Sequence, residues 1–295
     1  MKPAGWTILA LARLLIAGPL AAQGITVEPE RPLPGSLIRL TVSLPVPGAT
    51  LHGELAGEPL HFHPLDSLHA SALGAVPLED RDTLVVTLAL SSDELTDTLR
   101  YTVALATGDY PVERLSVAPR MAHPDSAARV RIAREIARAK EVSQASHGTP
   151  RQYDEPFQVP RESRITSRFG TGREFNGEVV SRHFGADFDG KVGAPVHAAN
   201  AGRVVLVGWF YLAGRVVYID HGEGLISAYF HLSRALVKTG ETVRRGQVIG
   251  EVGQTGRVTG PHLHWVMRYG GVSVDPLSVL ALLGPAENGN PGPAN

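Results

Sequence analysis

The sequence predicts a mainly β protein built in two parts and joined by one α-helix. Three observations predict it. Residues 25–118 hold short runs that alternate apolar and polar side chains. Residues 125–145 switch to Ala, Arg and Glu, with apolar residues at helical spacing. Residues 151–283 return to short β-branched runs with glycine dense at their ends. The chain has 295 residues, 43% of them hydrophobic and 19% charged, which is long enough and apolar enough for two globular domains.

The chain starts "MKPAGWTILALARLLIAGPLAAQG". Lys2, an apolar run from Ile8 to Ala17 and small residues before Gln23 have the architecture of a secretory signal over residues 1–22, cut after Ala22. Arg13 interrupts the run, and an uncleaved anchor is the alternative. No later stretch is long enough to span a bilayer. The expected location is therefore the periplasm, cell envelope or outside, with no stable membrane span after cleavage.

Residues 23–120 form the first part. "LIRLTVSL" (38–45), "TLVVTLAL" (83–90) and "LRYTVAL" (99–105) read as strands separated by turn signals such as "LPGS" and "ATGDY". Strands at such short spacing suggest an immunoglobulin-like β-sandwich. The linker, 121–150, holds the helix. Val130, Ile132, Ile136 and Val142 recur at roughly helical spacing, Asp125-Ser126 supplies an N-cap, and Gly148 and Pro150 a stop. It reads as an exposed helix between two domains. Residues 151–283 contain "GRVVLVG", "RVVYIDHG", "LISAYFHL", "QVIGEVG" and "PHLHWVMRYGG". The tail, 284–295, has turn-forming and polar residues and reads as disordered.

Charge is uneven. Residues 23–120 carry 6 basic and 13 acidic residues, net −7, and residues 121–295 carry 20 and 16, net +4. This allows contact between an acidic N-terminal domain and the rest, or with an anionic polymer; solvated faces are the plain alternative. The near-zero overall charge gives no sign of nucleic acid. The chain has no cysteine, which excludes disulfides, thiolate metal sites and a Cys nucleophile.

Histidine carries the chemical signal. His262 and His264 in "GPHLHW" are two apart in a strand-like run, so both point to one face, about 6.5–7 Å apart at their Cα atoms. His183 precedes "GADFDG"; in extended chain Asp187 and Asp189 both share its face, and spacing does not choose between them. Two histidines and one carboxylate are a common zinc set with a position left for water. The fourth histidine, His231, and the spare member of the HxH pair are then available for proton transfer. His61 and His63 in "HFH" lack such companions and read as polar residues on a solvent-facing edge. His197 and His221 read as structural. HExxH, GxSxG, P-loop and strand-linked GxGxxG motifs are absent.

Over residues 160–283 the run "SRFG…HFGADFDG…GAPVHAANAGRVV…YIDHGEGLISAYFHLS…VKTGETVRRGQVIGEVGQTGRVTGPHLHWVMRYGG" closely resembles the M23 family of zinc metallopeptidases, the lysostaphin- and LytM-like enzymes. The resemblance implies an antiparallel β-sheet peptidase domain. It implies Zn²⁺ held by His183, Asp187 and His264, with His231 and His262 catalytic. It also implies hydrolysis of peptide bonds in bacterial cell-wall peptidoglycan, at cross-links or stem peptides. Tyr229, two before His231, is expected on the same strand face and within reach of the oxyanion. Asn176 and Arg173, in the loop before His183, are expected to line the substrate groove. The rival is a non-catalytic wall-binding protein or an activator of other hydrolases. A biotinyl-type carrier, suggested by "VKTGETVRRGQVIGEVGQTG", lacks its lysine: none follows Gln247.

Overall fold

In the computed structural model the described residues are 24–285, except Asp80, 93–95 and Glu178. The expected signal, and all of the tail beyond Pro285, lie outside the described residues. Two four-stranded antiparallel sheets make the N-terminal part. One orders Ile25–Glu28, Leu37–Ser43, His69–Ala75 and His63–Pro64; the other orders Glu58–Leu60, Thr50–Leu55, Thr83–Ser91 and Thr96–Ala104. Alternation in these strands buries one face of each, and Ile38, Leu40, Leu55, Val86, Leu88 and Val103 meet in a shared core.

The C-terminal part is organised by an eight-stranded sheet, antiparallel throughout. Its path runs Ile165–Ser167, Ala186–Asp189, His262–Tyr269, Leu225–Leu232, Gly214–Gly222, Gly202–Phe210 and Thr242–Val243, with Val272–Val274 paired beside His262–Tyr269. The sheet is buried on both faces, which explains its near-continuous apolar strands. Leu263, Trp265, Met267 and Tyr229 face one core, while Val266, Ala228, Tyr218 and Val216 face another.

Three features differ from the sequence reading. The helix spans Ser126–Ala145, with Asp125 accepting from the Ala128 N–H at 2.8 Å. It is not a free connector: Ala139 and Val142 pack on the second face of the large sheet. The strand Val112–Leu115, read from sequence with the N-terminal sandwich, pairs in parallel with Gly172–Phe175 of the C-terminal part. Finally, His61 and His63 do not face solvent on a bare edge. His61 Nε2 lies 2.9 Å from His147 Nδ1, and His63 Nε2 lies 2.9 Å from Glu223. His147 in turn meets the buried Glu58 at 2.9 Å, and Glu58 accepts from the Gly271 N–H at 2.8 Å. Isolated sequence patterns do not reveal such partners because they are more than eighty residues away.

Candidate metal centre and groove

Strand pairing assembles the centre. Asp187 lies directly opposite His264, and Phe230 pairs with His264 from the other side. His183 sits just before the strand Ala186–Asp189. The chain between them must cross the His264 ring: a Cβ at Gly185 would lie 2.4 Å from the Trp265 carbonyl and 2.7 Å from His264 Cε1. Only glycine fits there.

Three donor atoms converge. His183 Nε2 is 3.0 Å from Asp187 Oδ1 and 2.8 Å from His264 Nδ1, and His264 Nδ1 is 2.7 Å from Asp187 Oδ1. All three residues are buried. Asp189, the other carboxylate in reach of the sequence reading, is exposed at the rim and joins none of these contacts. His183 Nδ1 lies 2.9 Å from the Arg168 carbonyl. A carbonyl only accepts, so Nδ1 carries the proton and Nε2 turns a lone pair to the cluster. Asp187 Oδ2 is taken by Arg173 Nη2 at 2.5 Å, which leaves Oδ1 for the cluster. Burial alone would raise the Asp187 carboxyl, but the facing His264 and His183 hold it well below the usual carboxylate range. Burial pushes His264 down to about 4, so it is neutral and able to donate a lone pair near pH 7. Two neutral imidazoles and one carboxylate, buried and oriented from behind, fit a zinc ion.

Two more histidines flank the triad. His231 Nδ1 is 2.7 Å from the Thr255 carbonyl, and His262 Nδ1 is 2.9 Å from the Gly260 carbonyl. The same logic gives both rings an Nδ1 proton and leaves Nε2 as the atom turned away from the backbone. Their centroids are 4.9 Å apart, and His262 Nε2 is 3.7 Å from Asp187 Oδ1. Burial, then the nearby His262 and His264, keeps His231 well below the ordinary imidazole value. His231 also has φ +61°, in the left-handed region. That turn breaks the strand alternation after Phe230, so His231 looks into the groove with the residue before it.

The same break corrects the expectation for Tyr229. It stays on the core face, fully buried, paired with Trp265. Its hydroxyl accepts from the Ala199 N–H at 2.8 Å and meets Ser227 Oγ at 2.9 Å. It does not reach the groove. Asn176 is corrected too. Its side chain accepts from the Val117 N–H at 2.9 Å and donates to the Val117 carbonyl at 3.0 Å. It clamps the chain beside the groove rather than lining it. Arg173 does line the groove, behind Asp187.

Sequence reasoning missed Arg257. Its guanidinium lies 4.0 Å over the Phe175 ring and faces the same groove. The signal was a lone arginine among small residues in "QTGRVTG", five before His262. The loop that carries it is pinned: Gly256 has φ +80° and its Cβ would meet the Leu212 carbonyl at 2.4 Å.

Comparison with known proteins adds the family. Residues 181–276 match the sequence profile of Peptidase family M23, and that stretch holds all five residues of the centre. The chain contains an M23 peptidase domain. The M23 domain is similar to peptidoglycan DD-endopeptidase ShyC of Vibrio cholerae, 42% identical over 118 residues, which are 39% of this chain and 27% of ShyC. It is 39% identical to peptidoglycan DD-endopeptidase ShyA of the same organism, over 43% of this chain and 32% of ShyA. The matched stretch thus spans less than a third of these relatives. A solved M23 peptidase structure from Pseudomonas aeruginosa superposes with a TM-score of 0.62 at 27% identity, covering 84% of this chain and 94% of that one. That likeness extends well beyond the M23 domain into the N-terminal strands.

Proposed function

We propose that this chain is a zinc-dependent endopeptidase that hydrolyses peptide bonds of bacterial cell-wall peptidoglycan, at cross-links or stem peptides, outside the cytoplasm. One observation carries the reading. A buried His183–Asp187–His264 triad stands beside two histidines whose free Nε2 atoms face it. The relatives ShyC and ShyA are named as peptidoglycan DD-endopeptidases, which supports the substrate class. Among the described residues no helix is long and apolar enough to cross a membrane.

Bound zinc supplies a Lewis acid and a water of lowered pKa. The remaining work belongs to the chain. His183, Asp187 and His264 are the residues that would hold the ion, and Arg173 fixes which Asp187 oxygen is offered. His231 and His262 present their Nε2 atoms to the same space. One takes the proton of the attacking water, and the leaving amine receives it. The backbone carbonyls behind both rings keep the Nδ1 proton in place, so the transferred proton comes and goes at Nε2. The acidic N-terminal domain, in this reading, stays docked through Glu58, His61 and His63, while Gly172–Phe175 and Asn176 hold the segment 112–117 along the groove.

The test is digestion of purified peptidoglycan followed by mass spectrometry of the muropeptides. New amine ends that depend on zinc and vanish in His262→Ala are expected. A zinc-loaded protein that releases none would sink the enzyme reading in favour of a wall-binding one.

A further inference from the structure

The groove around the triad has two arms of different chemistry. One, about 390 Å³, runs beneath the helix Ser126–Ala145 and is walled by Ile132, Ile136, Phe184, Phe210 and Phe230. The other, about 340 Å³, is charged and is lined by Arg173, Arg257, Glu113 and Asp189, with His262 among them. The two arginines differ. Arg173 is committed to Asp187 through Nη2, and its buried Nε has no hydrogen-bond partner among the described residues. Arg257 stacks on Phe175 and, among the described residues, its side chain makes no hydrogen bond or ion pair. None of the three acids lining this arm pairs with it: Glu113 accepts from Ser167 Oγ at 3.2 Å, Asp187 is taken by Arg173, and Asp189 is exposed at the rim.

A half-buried guanidinium has five donors to satisfy, and water satisfies them poorly in a narrow cleft. Burial and the neighbouring Arg173 already work against its charge. An anion entering this arm would relieve that cost. We propose that Arg257 anchors a free carboxylate carried by the residue on the amine side of the scissile amide. This rests on the endopeptidase reading above.

The chemistry explains the choice of side. On the acyl side, the residue's own carboxyl carbon is the scissile carbonyl. On the amine side, the residue keeps a carboxyl two bonds from the scissile nitrogen. When that carboxyl is unamidated, it is the nearest negative charge the substrate can offer. A guanidinium placed over an aromatic ring can bind a carboxylate through two parallel hydrogen bonds. The loop 253–261 that carries Arg257 also supplies the Thr255 and Gly260 carbonyls that orient His231 and His262. The anchor and the two proton-transfer groups are therefore set by one loop.

The experiment compares two synthetic peptide dimers with the full zinc-loaded chain. In one, the amine-side residue bears a free carboxylate; in the other, the same carboxyl is a carboxamide. The wild type is expected to prefer the carboxylate by roughly 10- to 100-fold in kcat/KM, the range for one charged hydrogen-bonded pair, mostly through KM. Arg257→Gln should bring the two rates together while zinc content stays at the wild-type level. Arg257→Lys should restore part of the preference. Equal wild-type rates on both dimers, or a preference that survives in Arg257→Gln, would overturn the anchor alone. Cleavage of neither dimer would overturn the endopeptidase reading and the anchor with it. Should Arg257→Gln not fold, the wild-type pair and Arg257→Lys decide the question.

Discussion

Replacing Tyr229 with Phe separates a core role from a catalytic one. Sequence alternation puts residue 229 on the face of His231, within reach of a developing oxyanion. The left-handed turn at His231 removes it to the core. There the hydroxyl joins a buried chain: Ala199 N–H at 2.8 Å, Ser227 Oγ at 2.9 Å, and His221 Nε2 2.8 Å beyond Ser227. Phenylalanine fills nearly the same volume, so no cavity forms. What is lost is the acceptor for the Ala199 N–H, which stays buried. A buried donor left unpaired costs about 1–3 kcal/mol. For a chain of this size that is a fall in Tm of roughly 2–5 °C. Scanning calorimetry measures the shift, and wall digestion at a temperature well below both melting points measures rate. The expected outcome is a clear drop in Tm with kcat within about twofold of wild type. Loss of a real oxyanion donor would instead cost on the order of 100-fold in kcat. A drop of that size with Tm unchanged would refute the placement of Tyr229.

Other outcomes follow from the same contacts. His264→Ala should abolish zinc binding in atomic absorption, whereas His231→Ala should keep the metal and lose activity; equal zinc loss in both would overturn the division of roles. Arg173→Met leaves Asp187 Oδ2 without its cation, and zinc affinity in a chelator competition should fall about 10- to 100-fold; unchanged affinity would mean the pair is incidental. His221 is buried and its value is pushed down to about 4, because burial outweighs the Ala201 carbonyl and Asp220. The folded state therefore binds fewer protons than the unfolded one between that value and the ordinary imidazole value. Its contribution is full above about pH 6.5 and is lost as pH falls toward 4, about 3 kcal/mol in all. His221→Gln should flatten the acid side of a stability–pH curve from denaturant melts; an unchanged slope would remove His221 from the account.

The mainly β fold was legible because strands leave a local signature. Period-two alternation marks the N-terminal sheets, and apolar runs with glycine at their ends mark the doubly buried central one. The helix showed itself through Asp125 and the Ala-rich run. Its packing showed only in part: Val142 is buried, but Val130 and Ile136 are exposed while the small Ala139 makes the other contact. The donor triad was legible only through the family resemblance. Spacing left Asp187 and Asp189 equal, and the strand register separates them: Asp187 lies opposite His264, Asp189 opposite His262 at the open rim. Tyr229 was misplaced because a single positive φ, at His231, inverts the alternation on which the inference stood. Arg257 was overlooked because a loop residue has no periodicity, and its significance comes from Phe175, eighty-two positions away.

Spacing alone also left His262 and His264 equivalent, two apart on one strand face. Proton accounting distinguishes them. His183, His231 and His262 each set Nδ1 against a backbone carbonyl, so each offers Nε2. His264 is the exception, with Nδ1 itself at the donor triangle. Of the three that offer Nε2, only His183 places that atom within 3.0 Å of both Asp187 and His264. His262 stops at 3.7 Å from Asp187 Oδ1, too long for a hydrogen bond and near enough to share a solvent-sized space with it. The carbonyl that restrains His262 is Gly260, two residues earlier, and the carbonyl that restrains His231 is Thr255 of the same loop. The metal ligands take nothing from that loop. On the proposed assignment of roles, holding a metal and moving protons are thus supported by different pieces of backbone, so that the loop 253–261 can vary without dismantling the triad.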